Sequence, residues 1–237
     1  MRGRDEQVTG GVVAARLRRV RPHLALVAAG APVVGAAVTV VLGGWLPGLV
    51  VPALLLVLGA AYFRTRRFRP RRWPTAGAVL GALGGAYLGA VSPWLSPSAV
   101  LFGLGGWLIA RRARDSVLRP YTPDLADSPV EIPWRARGAP GLELLVAHDR
   151  ITLAGGRGRF RLVRPMVALS GVGAVEQVMV ARRATLPVPG VGELRVTVTP
   201  GPAVRITVPP GEWIVPTDHG REIARLVARR KELAGAS

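Results

Sequence analysis

Two stretches of this chain contain no Asp, Glu, Lys or Arg, one between Arg21 and Arg64 and the other between Arg72 and Arg111. A bilayer core of about 30 Å needs about 20 helical residues at a rise of about 1.5 Å each. The first uncharged block, Leu24 to Phe63, has 40 residues, and the second, Pro74 to Ala110, has 37. Each is long enough to cross, turn and return. Each also has turn chemistry near its middle, Gly43-Gly44-Trp45-Leu46-Pro47-Gly48 and Ser92-Pro93-Trp94-Leu95-Ser96-Pro97. Trp at headgroup level beside Pro and Gly or Ser suits an interfacial hairpin. The pattern predicts a transmembrane domain over 23–115 with four helices, as two hairpins, near 24–43, 48–63, 75–92 and 96–110. Two re-entrant hairpins that stop short of crossing are the competing arrangement.

The composition is 49% hydrophobic with mean hydropathy +0.32, yet the net charge is +18. Both hold because the charge sits outside the apolar blocks. Arg16, Arg18, Arg19 and Arg21 precede the first span; Arg64, Arg66, Arg67, Arg69, Arg71 and Arg72 fill the central loop; Arg111, Arg112 and Arg114 follow the last. Neither hairpin turn is charged. The positive-inside rule then places both termini and the central loop in the cytoplasm, with these arginines on the anionic inner leaflet. Asn is absent and Lys231 is the only lysine, a bias typical of a GC-rich bacterial genome, so the membrane is expected to be a bacterial plasma membrane.

Residues 1–22 read as a basic cytoplasmic segment, with a short amphipathic helix over Val8 to Val20 lying on the leaflet. The Ala28-Ala29-Gly30-Ala31 run has the look of a signal-peptide cleavage site, but the apolar stretch continues past it, so an uncleaved first span is expected. In the third span Gly77, Gly81, Gly85 and Gly89 recur every fourth residue. They line one helix face and allow close backbone approach. Packing within the chain is the plain reading; self-association or a pore lining are the alternatives. The predicted spans hold no Asp, Glu, Lys or Arg, which argues against proton relays, ion-coupled transport and voltage sensing.

After Arg119 the composition changes. Residues 116–140 read as a linker, and a small α+β domain is expected over 141–234. Period-two alternation marks strands at Glu193–Thr199 and Ala203–Val208, with a further strand at Trp213–Val215. Upstream, Leu142–Val146, Arg150–Ala154, Arg159–Val163 and Gln177–Ala181 read as strands, and Gly155-Gly156-Arg157-Gly158 as a hairpin turn. A closing helix begins near Thr217 or Asp218, with Ile223, Leu226, Val227 and Leu233 as its apolar stripe. About seven strands and one helix predict a strongly bent sheet plugged by the helix.

Several stretches resemble the bacterial pleckstrin-homology-like (PH-like) domains: Asp149–Leu153, Val167–Glu176, Gly201–Val208, and Trp213–Asp218 with the closing helix. In many actinobacterial proteins such a domain follows transmembrane helices. The resemblance covers roughly residues 141–233 and implies a binding or assembly module without chemistry of its own. The basic motif that holds phosphoinositides in some eukaryotic relatives is absent, since the first hairpin, Ala147-His148-Asp149-Arg150, offers a single Arg.

Catalytic chemistry is not evident. With zero Cys there is no disulfide, no Cys-ligated zinc and no thiol catalysis. His23, His148 and His219 have no metal-ligand spacing, and no P-loop or nucleophile elbow is present. No cofactor and no enzymatic activity are expected. Residues 1–119 carry 16 basic and 3 acidic residues, against 16 and 11 in residues 120–237, so the basic excess lies beside the membrane. A nucleic-acid reader would carry it on the soluble half, with exposed aromatics; Trp134, Phe160 and Trp213 are the candidates there. Arg157, Arg159, Arg161, Arg182 and Arg183 form the candidate anion or partner contact, with a plain solvated face as the alternative. The sequence therefore predicts a non-enzymatic membrane protein whose PH-like domain docks a protein partner, or another copy, at the inner leaflet. A small channel or transporter regulated by that domain is the alternative.

Overall fold

The structure is a computed structural model that describes residues 11–43, 46–155, 164–188 and 195–235. It divides into two compact units, with the break between Tyr121 and Thr122.

The first unit is a bundle of α1 (Gly11–Val41), α2 (Val50–Thr65), α3 (Trp73–Val91) and α4 (Ser98–Leu118). All four are long and apolar enough to cross a membrane. Their outward positions are large and apolar: Leu26, Val34, Leu54, Val57, Val79 and Leu104 are all exposed. Between the helices lie Ala28, Ala31, Gly35, Gly59, Gly84 and Gly103. Large apolar side chains outside and small residues at the helix contacts suit a bundle whose surroundings are lipid, where close backbone packing replaces the hydrophobic drive between helices.

Two helices outrun the spans predicted for them. α1 starts at Gly11, so the basic segment is continuous with the first span and, over its described residues, is no separate leaflet helix; at about 1.5 Å per residue its 31 residues reach about 46 Å. Pro22 and Pro32 lie within it. α4 likewise continues through Arg111, Arg112 and Arg114 to Leu118. The reason is mutual packing. Val13 and Val20 of α1 and Ala113 and Val117 of α4 are all buried. The Arg16 guanidinium donates to the carbonyls of Val117 (3.2 Å) and Pro120 (2.9 Å), acceptors that the end of α4 leaves open.

The second unit holds nine strands among the described residues, against about seven predicted. β1 (Ile132–Arg135), β2 (Leu142–Val146), β3 (Arg150–Gly155) and β4 (Met166–Ala168) form an antiparallel meander. β5 (Val175–Val180), β8 (Gly201–Val208) and β9 (Gly211–Pro216) form a three-stranded sheet in the order β5-β8-β9. β6 (Ala184–Pro187) and β7 (Arg195–Val198) pair as a separate ribbon. The chain ends in α5 (Gly220–Gly235). The strand expected at Arg159–Val163, and Gly156-Arg157-Gly158 of the turn before it, lie outside the described residues.

Two expectations change here and a third is met. Residues 122–140 belong to the domain and are not a linker, because β1 pairs along β2 from Ile132↔Val146 to Arg135↔Glu143. The stripe of α5 is Ile223, Leu226, Val227 and Arg230, each at most 2% exposed, whereas Leu233 is 37% exposed. An arginine takes the inward position one turn after Leu226 because it finds carbonyls there. Finally, α5 begins after Thr217, whose Oγ1 accepts the His219 N–H at 3.3 Å and so turns the chain into the helix.

Candidate functional site

The glycines of α3 set the geometry of the bundle. A Cβ on Gly77 would stand 2.5 Å from the carbonyl oxygen of Gly106 and 3.1 Å from the Cβ of Ala110. On Gly81 it would collide with the Phe102 carbonyl, on Gly85 with the backbone of Ser98 and Ala99, and on Gly89 it would press on Ser96. Each step along α3 retreats along α4, so the helices run antiparallel with backbones in near contact. Ser98 adds a hydrogen bond from its Oγ to the Gly85 carbonyl at 2.8 Å. The glycine face is thus filled by α4 of the same chain.

The other helices are registered in the same way. Sites for a Cβ on Gly59 and Gly48 fall 3.1 Å from Ala28 and Thr39 respectively, which fixes α2 antiparallel to α1. Gly84 meets Ala31 while Gly35 meets Tyr87, so α3 runs parallel to α1. Tyr87 locks this end, its hydroxyl donating to the Gly48 carbonyl at 2.7 Å and lying 2.6 Å from Thr39 Oγ1.

Carried toward the other end, these registers bring the arginines to one level. Seven residues back from Ala28 is Arg21, and seven on from Gly59 is Arg66. Twelve residues before the Ala31–Gly84 contact stand Arg19 and Arg72; five beyond Gly77–Gly106 stand Arg72 and Arg111. Arginines from all four helices or their ends therefore share one layer. The opposite end is uncharged and carries Trp94, 93% exposed in the Pro93–Leu95 turn. Trp45 lies outside the described residues. The 19 residues of α3 put about 28 Å between the two ends, close to the apolar thickness of a bilayer. Residues 11–121 hold 14 arginines and one carboxylate, Asp115. Arg18 and Arg64 border the layer. The Arg67 guanidinium lies 4.4 Å from the Phe68 ring centroid and that of Arg111 4.9 Å from Trp107. Arg112 and Arg114 lie one residue and nearly one turn beyond Arg111.

In the second unit three cationic side chains, buried Arg230 and half-buried Arg137 and Lys231, donate to backbone carbonyls. Arg230, 2% exposed, donates through Nη1 to the Val146 carbonyl (2.7 Å), through Nε to Ala126 (3.3 Å), and through Nη2 to Leu125 (3.2 Å), Ser128 (3.1 Å) and Val130 (2.7 Å). Arg137 donates to the carbonyls of Pro200 (3.0 Å) and Pro202 (3.1 Å) and to Asp218 Oδ1 (2.7 Å). Gly201, at φ +116°, leaves room for that guanidinium, which any Cβ there would strike. Lys231 Nζ donates to the Val172 carbonyl at 2.6 Å. On the surface, Asp127 accepts from Arg229 Nε at 2.8 Å, and this bond, with Glu232, holds the Arg229 pKa above its usual range. Its charge is constant at any physiological pH.

Arg182 and Arg183 are exposed in the loop between β5 and β6, while Arg157, Arg159 and Arg161 lie outside the described residues. Trp134 and Trp213 are buried in β1 and β9, so neither offers a ring face for base stacking. Among the described residues no group of three or more His, Asp or Glu is placed to hold a metal ion. Spacing gave no hint of Arg230 or Arg137, although Arg230 does fall on the helical stripe if arginine is admitted as an inward residue.

The bundle and its arginine layer define a multi-pass membrane protein that carries a small antiparallel-sheet domain with a C-terminal helix. No family model, no curated protein and no solved structure matches the chain.

Proposed function

We propose that this is a non-enzymatic protein of a bacterial plasma membrane whose PH-like C-terminal domain docks a protein partner, or a second copy, at the inner leaflet. The PH-like reading is supported by a four-stranded and a three-stranded antiparallel sheet closed by a C-terminal helix, with β6–β7 as an addition. The docking reading rests on β5. Among the described residues it is a margin of its sheet, and Glu176, Gln177 and Met179 along it are exposed, Met179 by 74%. A marginal strand with open backbone groups binds an extended segment by adding a strand. The cations Arg230, Arg137 and Lys231 of this domain are engaged with carbonyls, which fits a scaffold better than a reaction centre.

In-cell photo-crosslinking from Met179, with Arg205 on the neighbouring strand as a second probe, tests this. A discrete protein adduct, to a partner or to the chain itself, is expected. Adducts to lipid alone, or none from either position, sink the docking reading.

Both termini are assigned to the cytoplasm because the arginine layer lies at their end of the bundle. The chain has no native Cys, so single cysteines report cleanly. On intact cells an impermeant maleimide is expected to label Ser96→Cys in the uncharged turn and to spare Ser170→Cys. The reverse pattern inverts the topology.

A further inference from the structure

The central loop is built to hold arginines together on one side. Arg69 N–H bonds the Arg66 carbonyl (3.0 Å) and Arg72 N–H bonds the Arg69 carbonyl (3.1 Å). Bonds of this i to i+3 kind bring backbone positions three apart to within about 7 Å. Arg66, Arg69 and Arg72 therefore stand close together along one short loop. The loop is pinned from beneath, because Trp73 is fully buried and its indole N–H donates to the Arg66 carbonyl at 3.1 Å. The α3–α4 register sets Arg111 level with Arg72, and Trp107 lies under its guanidinium.

Among the described residues, none of Arg66, Arg69, Arg72 and Arg111 has a side-chain hydrogen bond or ion pair within the protein, and Asp115 pairs with none of them. Four like charges on a fixed frame, at the border of an apolar layer where screening by water is weak, repel one another. An anion between them removes that cost. At this level the anions of a bilayer are lipid phosphates, and a guanidinium grips a phosphodiester with two parallel hydrogen bonds. We propose that Arg66, Arg69, Arg72 and Arg111 form a binding site for the phosphate of a net-anionic phospholipid. The site stands apart from the docking role of the C-terminal domain and survives its failure.

The full chain, reconstituted in bilayer discs of equal parts phosphatidylglycerol and phosphatidylcholine, tests this by native mass spectrometry of the retained lipid. Wild type is expected to retain phosphatidylglycerol selectively. Arg72→Gln with Arg111→Gln should cut that selectivity by more than about tenfold per arginine removed, whereas Arg18→Gln with Arg19→Gln should cost no more than the roughly fivefold per arginine of general attraction to an anionic leaflet. No selectivity in wild type, or an equal loss in both double variants, overturns the site in favour of a diffuse field. Displacement of the lipid by inorganic phosphate at equal concentration overturns the assignment to lipid. If the Gln pair is not monodisperse, Arg72→Lys with Arg111→Lys decides: the charge remains but the two-pronged grip is lost, so selectivity should fall, and full retention counts against the site.

Discussion

Gly81→Leu is expected to abolish the folded bundle, with the full chain recovered from membranes as aggregate and not as a monodisperse species. The obstacle to a Cβ at Gly81 is the carbonyl group of Phe102, which is backbone and cannot turn aside. Extra methylenes in a core that can adjust cost about 1–3 kcal/mol; here two helices would have to separate along their length. Separation would also break the Ser98–Gly85 hydrogen bond and lift Gly77 off Gly106. Gly105→Ala is the control, because a Cβ there meets nothing within 4 Å. Size-exclusion profiles in detergent report both variants. A well-folded Gly81→Leu protein would mean that α3 and α4 do not meet as described, and would reopen the glycine face to a partner.

Arg230→Met should be the most damaging single change in the C-terminal domain. A guanidinium has five N–H donors in a fixed plane, and here five carbonyls from residues 125–130 and the end of β2 converge on it. Met keeps much of the volume but strands those carbonyls, and buried acceptors left without a donor cost about 1–3 kcal/mol each. That is a large share of a domain stability of about 5–15 kcal/mol. Arg230→Lys should be nearly as harmful, since an ammonium has three donors and no plane. Hydrogen exchange on the full chain reads the effect directly. Residues 125–130 and β2 should lose protection in both variants, while Arg225→Met, on the exposed face of α5, should leave them protected. Unchanged protection in Arg230→Met would show that these carbonyls are satisfied without it.

The parts of this protein that were legible in advance rest on local, one-dimensional signals. An uncharged block long enough to cross twice declares two spans, and glycine at every fourth position declares a close face. Alternation in Ala203–Val208 declares a strand; the structure starts it two residues earlier, at Gly201. What failed to show depended on a distant partner. Residues 122–140 look like a linker because they are rich in Pro, Asp and Ala, yet β2 supplies a strand pairing to Ile132–Arg135 and Arg230 binds the carbonyls just before it. Arg16 reads as one more membrane-facing charge, but it caps the end of a helix about a hundred residues later.

The sequence by itself determined that the chain partitions between lipid and water, how many times it can cross, and on which end its charge lies. Hydropathy and charge act residue by residue, so no neighbour is needed to read them. Only the tertiary structure decided which face of the third span meets which helix, and that Arg21, Arg66, Arg72 and Arg111 share one layer. It alone turned Arg137 and Arg230 into clamps. Those outcomes depend on registers between segments far apart in the chain, and a register is set by steric fit and by buried donors finding acceptors, neither of which composition or periodicity records.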